Sequence, residues 1–493
     1  GVDRIKGESV SDTLHAVAEG DSLCMQFSYK TDGEKRCVKV YPQGLQMIEG
    51  HYFMMDSDSV ATLAYKPEYG EMKVGVYGDA REMMMSSVEK IAKQDWCGSN
   101  DFLANRLRAL KMLPTTKERS REIKKIEKTL RKNRGENGMW CWWGKPSVKL
   151  MGTVADMWVT ERVLEALGMS ENETALESEL AFRREKYRGK WDCLLDIAKL
   201  YKVIGHEETA KEIALEIPDD SIRNTYLRIE KQMMEGYDVR FDTMRHITYT
   251  DGSYYSYSKG DSYWRNVTAE EVWTTMQAYR YFEKKNDRKE CKRIKRWLLQ
   301  YSFGGVLSEW FEMQVVKTLW NDGPIEGKDT LWQISVGGKS LEKLPYHTTV
   351  DSEAQVDYKG LRDIYVSTEQ NWWNKTPEAQ GNGMTINTVY DKGVLTVEVT
   401  VEKTAENVIV SIPVPAGCSY SDNQEKSNSE MYREEYRDRV NIYCYQLREG
   451  KHTFKVRLNE RYPGAYTLNP AQVRLVDYPV FNANNETKKV RIK

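Results

Sequence analysis

The spacing of apolar residues changes twice along this chain, and this change most constrains its fold. Before about residue 80, apolar and polar residues alternate, as in Met72–Tyr77, which is typical of half-buried β-strands. From about 81 to 340 the apolar residues recur at helical spacing, for example at Leu103, Leu107 and Leu110. After about 340 the alternation returns, most regularly in Val394–Val401. The pattern therefore predicts strands, then helices, then strands.

The length of the chain favours several domains over a single core. At 493 residues it exceeds the size at which one hydrophobic core stops growing. Hydrophobic residues make up 40% of it, enough for real cores, and charged residues make up 30%, enough for a solvated exterior. We expect about two to four domains.

A glycine beside aromatic residues recurs before helix starts in the helical segment. It stands at Gly138, Gly189, Gly252 and Gly304, at steps of roughly 50 to 60 residues, a spacing typical of helical repeats. Units of two helices with this period close into a ring or stack as a solenoid. A chance coincidence of aromatic residues is the alternative.

The charge balance argues against a nucleic-acid partner. Lys and Arg number 73 against 74 Asp and Glu, so no global basic field attracts nucleic acid or acidic lipid. The exception is the segment 117–134, where Lys and Arg are frequent and Glu is interspersed. Its simplest interpretation is a solvated helix face or a helix–helix connection, and the alternative is a surface for polyanions. No stretch approaches the roughly 18 apolar residues of a membrane span.

The eight cysteines contain no CxxC pair, which argues against a zinc ribbon or a thioredoxin-like site. Cys24 and Cys37 flank a turn signal, and Cys418 and Cys444 lie in neighbouring predicted strands. Both pairs could form disulfides in an exported protein, but free buried cysteine is the favoured interpretation.

Candidate catalytic groups are few. Carboxylates near the predicted helix starts could pair across a groove, as glycoside hydrolysis requires. They are Glu161, Asp192, Asp196, Glu270 and Glu271. Acidic residues are also favoured in first helical turns by the helix dipole alone, and this is the favoured interpretation. The histidines are dispersed, and no nucleotide-binding or hydrolase motif occurs. We therefore expect no catalytic residue, no metal site and no cofactor.

Four segments of the C-terminal stretch stand out together: VSIPVPAGC at 410–418, YRDRV at 436–440, LREGKHTF at 447–454 and RYPGAYTLNPA at 461–471. In these residues and in their order, the stretch resembles the final macroglobulin domain of bacterial alpha-2-macroglobulins.

The resemblance implies an α+β multidomain chain, in which an α/α toroid is inserted into a β-rich CUB-like domain and an antiparallel β-sandwich follows. The implied parts are the first CUB-like half at 1–80, the toroid of the thioester type at 81–340, the second CUB-like half at 341–382, and a macroglobulin or receptor-binding-like sandwich at 383–493.

The family's chemistry is an internal thioester between the Cys and Gln of a Cys-x-Glu-Gln motif, and the resemblance places it within 95–107. An alignment on the following helix puts Ser99 at the cysteine and Phe102 at the glutamine. An alignment on Cys97 puts Ser99 at the glutamate and Asn100 at the glutamine. Phe102 has no side-chain carbonyl, and Asn100 is one methylene short, so we expect the thioester to be lost.

The resemblance thus implies a non-enzymatic module of a protease-trapping inhibitor that acts without a covalent bond. Its partners would be proteases, through the full-length protein, and other envelope proteins, and its location would be periplasmic, cell-surface or otherwise exported. Two alternatives remain. One is a carbohydrate- or prenyl-processing toroid enzyme. The other is an adhesion or binding module, with Trp140, Trp142 and Trp143 as an exposed aromatic patch.

Overall fold

The computed structural model describes residues 22–39, 45–78, 81–147, 154–168, 174–222, 224–256, 267–301, 309–319, 332–360 and 363–493. Helices occupy the middle of the chain, and the strands on both sides pair antiparallel in their sheets. The prediction of a chain that mixes helices with antiparallel sheets is confirmed. Of the glycines in the repeat, Gly304 lies outside the described residues.

The described strands before the helices are β1 (Ser22–Tyr29), β2 (Asp32–Lys39), β3 (Leu45–Glu49), β4 (Tyr52–Met55), β5 (Ser59–Thr62) and β6 (Met72–Tyr77). Strands β1 and β2 form a hairpin in which Cys24 lies directly opposite Cys37, and the two form a disulfide. The favoured interpretation of free buried cysteines is wrong for this pair. Both residues are exposed, and the antiparallel register places them on the same face of the hairpin.

The described helices are α1 (Arg81–Lys93), α2 (Asn100–Met112), α3 (Lys117–Lys132), α4 (Met157–Leu167), α5 (Thr174–Lys186), α6 (Trp191–Val203), α7 (Glu207–Glu216), α8 (Thr225–Glu235), α9 (Val267–Lys284), α10 (Arg288–Tyr301) and α11 (Glu309–Leu319). Local signals set their ends: Thr116 caps α3 by accepting from the Arg119 amide, and Gly168 ends α4 in the left-handed conformation.

The helices pack around one shared apolar core. Helix α2 contacts α1, α3 and α4, and further contacts run from α4 to α6, then to α7, α8 and α9. Helix α11 packs against α9 and also against α1 and α2, so the succession of contacts returns to its start. The largest fully buried side chains of this core include Trp140 and Trp297.

Two short strands, β7 (Arg245–Ile247) and β8 (Ser253–Tyr255), pair between α8 and α9. The strands β9 (Gln333–Val336), β10 (Lys339–Ser340), β11 (Tyr346–Val350), β12 (Gln355–Lys359) and β13 (Ile364–Asn374) follow the helices. They pair with strands that precede the helices: β12 with β5, β11 with β6, and β13 with β3, β4 and β6. The helices therefore lie, in chain order, between strands of the same sheets.

Strands resume at Gln333, earlier than the expected boundary near 340. Strand β9 has four residues, too few to show a period in the sequence, and it turns into β10 through Gly337 and Gly338. Both glycines have positive φ, which glycine adopts without a steric penalty.

The C-terminal strands are β14 (Gln380–Gly381), β15 (Met384–Asp391), β16 (Val394–Val401), β17 (Ala405–Pro413), β18 (Cys418–Tyr420), β19 (Tyr432–Glu435), β20 (Arg439–Leu447), β21 (Gly450–Glu460), β22 (Gly464–Leu468), β23 (Gln472–Leu475), β24 (Asn482–Asn484) and β25 (Lys488–Ile492). Most of them form two antiparallel sheets, in the orders β14-β24-β23-β17-β20-β19 and β15-β16-β21-β18. Inward side chains of both sheets share one core, which includes Val397, Val410 and Phe454. Cys418 and Cys444 are free and buried, in different sheets.

No helix within the described ranges is both long and apolar enough to cross a membrane.

Candidate functional site

The segment expected to hold the thioester lies at the start of α2. Ser99 is the residue before the helix and is buried, and the half-buried Cys97 precedes it. The Sγ atom of Cys97 lies 3.3 Å from the Ser99 Oγ, within hydrogen-bond distance. The structure therefore brings Cys97 and Ser99 together as a thiol–hydroxyl pair.

The side chain of Asn100 is fully buried, and its amide makes three hydrogen bonds. Its Nδ2 donates to the carbonyl oxygens of Cys141, at 2.8 Å, and Gly144, at 2.9 Å. Its Oδ1 accepts from Asn133 Nδ2 at 2.8 Å. The Asn100 backbone amide also donates to the Trp142 carbonyl at 2.9 Å. This side chain therefore fastens the segment 141–144 to the first turn of α2.

Phe102 packs edge-to-face against Trp96, with ring centroids 5.0 Å apart. Phe102 is half-buried, whereas 74% of Trp96 is exposed. An edge-to-face pair is a favourable packing geometry for aromatic rings. Phe102 thus covers one side of the exposed Trp96 at the first turn of α2.

The three tryptophans expected to form an exposed patch have three different environments. Trp140 is fully buried, and its indole N–H donates to the Leu130 carbonyl at 2.7 Å. Trp142 is half-buried against the helical core, and only Trp143 is largely exposed. The three-residue patch is therefore wrong, because Trp140 fills the space between helices.

An exposed aromatic side chain that the sequence did not single out lies beside Trp142. Trp158 packs on it with ring centroids 5.4 Å apart, and the guanidinium of Arg162 lies 2.9 Å from the Trp158 ring centroid. Arg162 also faces Asp101 at 3.6 Å. Burial lowers the pKa of Arg162 to about 9, although Asp101 opposes this shift.

A cluster of carboxylates surrounds Lys199 on α4, α6 and α8. The Lys199 Nζ lies 3.3 Å from Glu161 Oε2 and 3.8 Å from Glu230 Oε2. Burial alone would lower the pKa of Lys199. The negative charges of Glu161, Glu230 and Asp196 have the larger effect, so the pKa of Lys199 is raised. Burial raises the pKa of Asp196 to about 6, and it also raises the pKa of Glu161. Such shifted carboxyls are suited to acid–base chemistry, and they also occur in structural ion networks.

The carboxylates proposed from the sequence do not all meet at this cluster. Only Glu161 and Asp196 do. Asp192 is exposed, Glu270 accepts from the Thr225 backbone amide at 3.2 Å, and Glu271 pairs with Arg448 of the C-terminal sandwich. Glu230 was missed, because nothing in its local sequence distinguishes it from a solvated helix residue.

A second charged network joins α2, α4 and α11. Glu165 of α4 accepts from both Arg108 and Lys317. Burial alone would raise the pKa of Glu165, but these two cations outweigh it and lower the pKa to about 2. The ionised carboxylate therefore holds the last described helix to α2 and α4. Among the described residues, no group of three His, Cys, Asp or Glu side chains is arranged to hold a metal ion.

The comparisons with known proteins find one family. Residues 362–479 match the bacterial alpha-2-macroglobulin MG10 domain, a range that begins in front of β13 and ends in front of β24. The family match thus begins about twenty residues before the boundary expected at 383, within the stretch assigned to the second CUB-like half. No curated protein matches the chain.

Several solved structures are similar to the chain at low identity. Native Escherichia coli alpha-2-macroglobulin, spanning domain MG7 to the C-terminus, is 13% identical with a TM-score of 0.31, and the alignment covers 94% of this chain and 84% of that one. The trypsin-activated Escherichia coli protein is 12% identical with a TM-score of 0.40, and Salmonella alpha-2-macroglobulin reacted with methylamine is 13% identical with a TM-score of 0.36. The alignments cover 94% of this chain but 37% and 35% of those chains.

Proposed function

We propose that this chain, an alpha-2-macroglobulin-like fragment whose residues 362–479 match the bacterial MG10 domain, is the C-terminal module of a protease-trapping inhibitor. We further propose that this inhibitor acts without an internal thioester. The chain spans about a third of the length of the longer structures that it resembles, so trapping would belong to the full-length protein. The module would be exported, with proteases and envelope proteins as partners.

The hydrogen bonding of Asn100 carries the proposal. In the only alignment that retains a thiol, Asn100 would supply the acyl group to Cys97. Its amide instead donates to two carbonyls and accepts from Asn133, so acylation, which expels Nδ2 as ammonia, would remove the two hydrogen bonds that Nδ2 donates. Each buried partner left unpaired costs about 1–3 kcal/mol. The Cys97 thiol in turn pairs with the Ser99 hydroxyl. Both contacts support a thioester-free site.

The domain arrangement is part of the proposal. The strands before and after the helices share sheets, which supports a CUB-like domain interrupted by a helical insertion. The return of α11 to α1 and α2 supports an α/α toroid for that insertion. We place the domain boundaries near 80, 340 and 382, with the last shifted toward 362 by the family match.

Thiol counting tests the loss of the thioester. Thioester formation would consume the Cys97 thiol and release one ammonia, and methylamine would later free that thiol. We expect alkylation in urea, without reductant, to label six cysteines before methylamine, because eight cysteines include one disulfide. Cys97→Ser is the matched control and should label five. Five labels on the wild-type chain, rising to six after methylamine, would show a live thioester and overturn the proposal.

Protease trapping is tested on the full-length protein. Trypsin and elastase are suitable probes, because structures of the Escherichia coli protein activated by each are among the similar ones. We expect the protease to co-elute with the inhibitor under native conditions and to separate from it completely in SDS. An SDS-stable adduct would contradict non-covalent action, and free protease in the native column would contradict trapping.

A second candidate function is carbohydrate processing by the helical segment. It is favoured by the carboxyls of Glu161 and Asp196, whose pKa values burial raises, and by the stacked rings of Tyr226 and Trp273, 5.9 Å apart, on the adjacent α8 and α9. Hydrolysis of a chromogenic glycoside that Asp196→Asn abolishes would support it. The absence of turnover across a glycoside panel would exclude it in favour of a structural ion network.

A further inference from the structure

Helix α3 carries an uninterrupted row of cations on one face. At about 100° per residue, six cations fall within an arc of about 100°. They are Lys117, Arg121, Lys124, Lys125, Lys128 and Lys132, and each is exposed. The buried Ile126 and Leu130 lie on the opposite side of the helix, in the shared core. These six cations, called the basic stripe below, span about 22 Å at about 1.5 Å per residue.

Two of the three acidic residues of α3 are directed away from the basic stripe. Glu122 pairs with Arg106 of α2, and Glu127 pairs with Lys111 of α2 at 2.9 Å. Both glutamates are thus directed at the neighbouring helix. Across the described ranges, no carboxylate lies within ion-pair distance of a cation of the basic stripe. Two of the three glutamates of α3 are therefore engaged with α2, and the third, Glu118, is exposed in the first turn at the edge of the basic stripe.

The basic stripe opposes the stability of its own helix. Lys117 and Arg121, Lys124 and Lys128, and Lys128 and Lys132 are like charges four residues apart. Such pairs destabilise an isolated helix. An ordinary solvated face mixes both signs, which relieves this repulsion. A face that carries one sign along four turns is suited to an anionic partner.

We infer that the basic stripe binds the anionic headgroups of a lipid surface. Five of its six cations are lysines, which act as point charges toward a diffuse anionic surface and do not select for the bidentate geometry that arginine offers. Its arc contains no apolar side chain, so the helix lies on the surface without inserting into it. Because the whole chain has a net charge of -1, the attraction is confined to this face.

The composition of α3 disfavours nucleic acid. The helix contains no Phe, Tyr or Trp on which bases could stack. A single straight row of cations also offers no second row to follow the other side of a groove. A lipid surface needs neither feature, because its charge is spread over a plane.

Co-sedimentation with phosphatidylcholine vesicles, with and without phosphatidylglycerol, tests the inference. We expect binding only to the vesicles that contain phosphatidylglycerol, and a loss of that binding at high salt. The combined variant Lys124→Gln, Lys125→Gln, Lys128→Gln should bind about a hundredfold more weakly, at about fivefold per cation. The variant with arginine at these three positions should bind like the wild type.

The matched control removes the same charge elsewhere. Lys202, Lys211 and Lys289 are exposed on α6, α7 and α10, and their combined replacement by Gln should leave vesicle binding unchanged. Thermal unfolding of each variant checks that α3 still folds. Equal binding by the wild type and the α3 glutamine variant would overturn the inference. Tighter binding to duplex DNA than to the vesicles, lost in the same variant, would overturn it in favour of nucleic acid.

Discussion

The indole Nε1 of Trp297 donates a hydrogen bond to the carboxyl group of Glu406, where helix α10 meets strand β17. Asn407, with a φ of 50°, directly follows Glu406, and the β17–β20 register is the same on both sides of it, with Glu406 opposite Gln446 and Val408 opposite Cys444. The groups that face Glu406 are the indole, the opposing Gln446 of β20, and the carboxylates Glu271 and Asp477. The hydrogen-bond donors near this buried carboxyl are therefore neutral, and its charged neighbours are carboxylates, which repel a negative charge on Glu406.

This environment predicts a pH-dependent stability. Burial raises the pKa of Glu406 from 4.5 to about 7, so the folded chain holds a proton that the unfolded chain releases at lower pH. The stabilisation of the folded chain by this proton is complete below pH 4.5, declines as the pH rises toward 7, and is lost above pH 7. The free energy of unfolding changes by about 3 kcal/mol over this range, at about 1.4 kcal/mol per pKa unit. Glu406→Gln should remove this decline and stabilise the chain at pH 8. Urea unfolding at pH 5 and pH 8 measures both effects.

The control for this prediction is Glu378→Gln, at an exposed carboxyl near β14. It should leave the pH dependence of unfolding as in the wild type. An equal slope in the Glu406→Gln variant and the wild type would show that Glu406 ionises normally in the folded chain.

The contribution of Glu165 to stability should depend on pH in the opposite direction. Its removal by Glu165→Gln leaves Arg108 and Lys317 without their anion, and breaking such a partly buried network should cost about 3–5 kcal/mol at neutral pH. Because its folded pKa is about 2, its contribution is present above pH 4.5 and is lost as the pH falls toward 2. The urea midpoints of variant and wild type should therefore converge in acid. Glu185→Gln, which breaks an exposed pair with Arg188, should cost under about 0.5 kcal/mol.

Asn100→Ala should destabilise the helical segment. The change leaves the carbonyls of Cys141 and Gly144 and the amide of Asn133 without their partner, at an expected cost of about 2–4 kcal/mol. Asn100→Asp should also destabilise, because a carboxylate cannot donate to the two carbonyls. Denaturant unfolding measures both changes, with the exposed Asn423→Ala as control. An unchanged midpoint in Asn100→Ala would remove the structural role assigned to this amide.

We expect that lysine cannot replace Arg296, which lies between α10 and the strands, without a loss of stability. Its guanidinium lies 3.4 Å from the ring centroid of Tyr365 and 4.8 Å from that of Tyr52. Lysine keeps the charge but loses the planar stacking, so Arg296→Lys should cost about 1–2 kcal/mol in unfolding free energy. Arg288→Lys, at an exposed position on the same helix, should change nothing measurable. Equal stability of the two variants would contradict the stacking role.

Local patterns in the sequence were enough to predict the secondary structure of several segments. The alternation in Val394–Val401 coincides with β16, and the stripe at Leu103, Leu107 and Leu110 lies on α2, because each pattern reflects one buried face of one element. Short strands such as β9 were missed, since four residues do not establish a period.

The candidate sites depended on contacts between residues far apart in the chain. Nothing near Asn100 in the sequence indicates that its amide is occupied by residues 133, 141 and 144. The cluster at Lys199 likewise joins carboxylates from three helices, of which the sequence identified only Glu161 and Asp196. Such hydrogen bonds and ion pairs are set by packing, which a single sequence does not encode locally.

The order of strands and helices, the alpha-2-macroglobulin resemblance of the C-terminal part and the lack of the family's Cys-x-Glu-Gln motif could all be read from the residues alone. These follow from side-chain period and from residue identity, which are local properties. Which charged side chains are paired and which tryptophan is buried depends instead on contacts between distant parts of the chain. Glu122 and Glu127 of α3 pair with cations of α2, so the cations of the basic stripe have no ion-pair partner among the described residues, and Trp140 fills a gap between helices. Both outcomes depend on which surfaces meet across the fold.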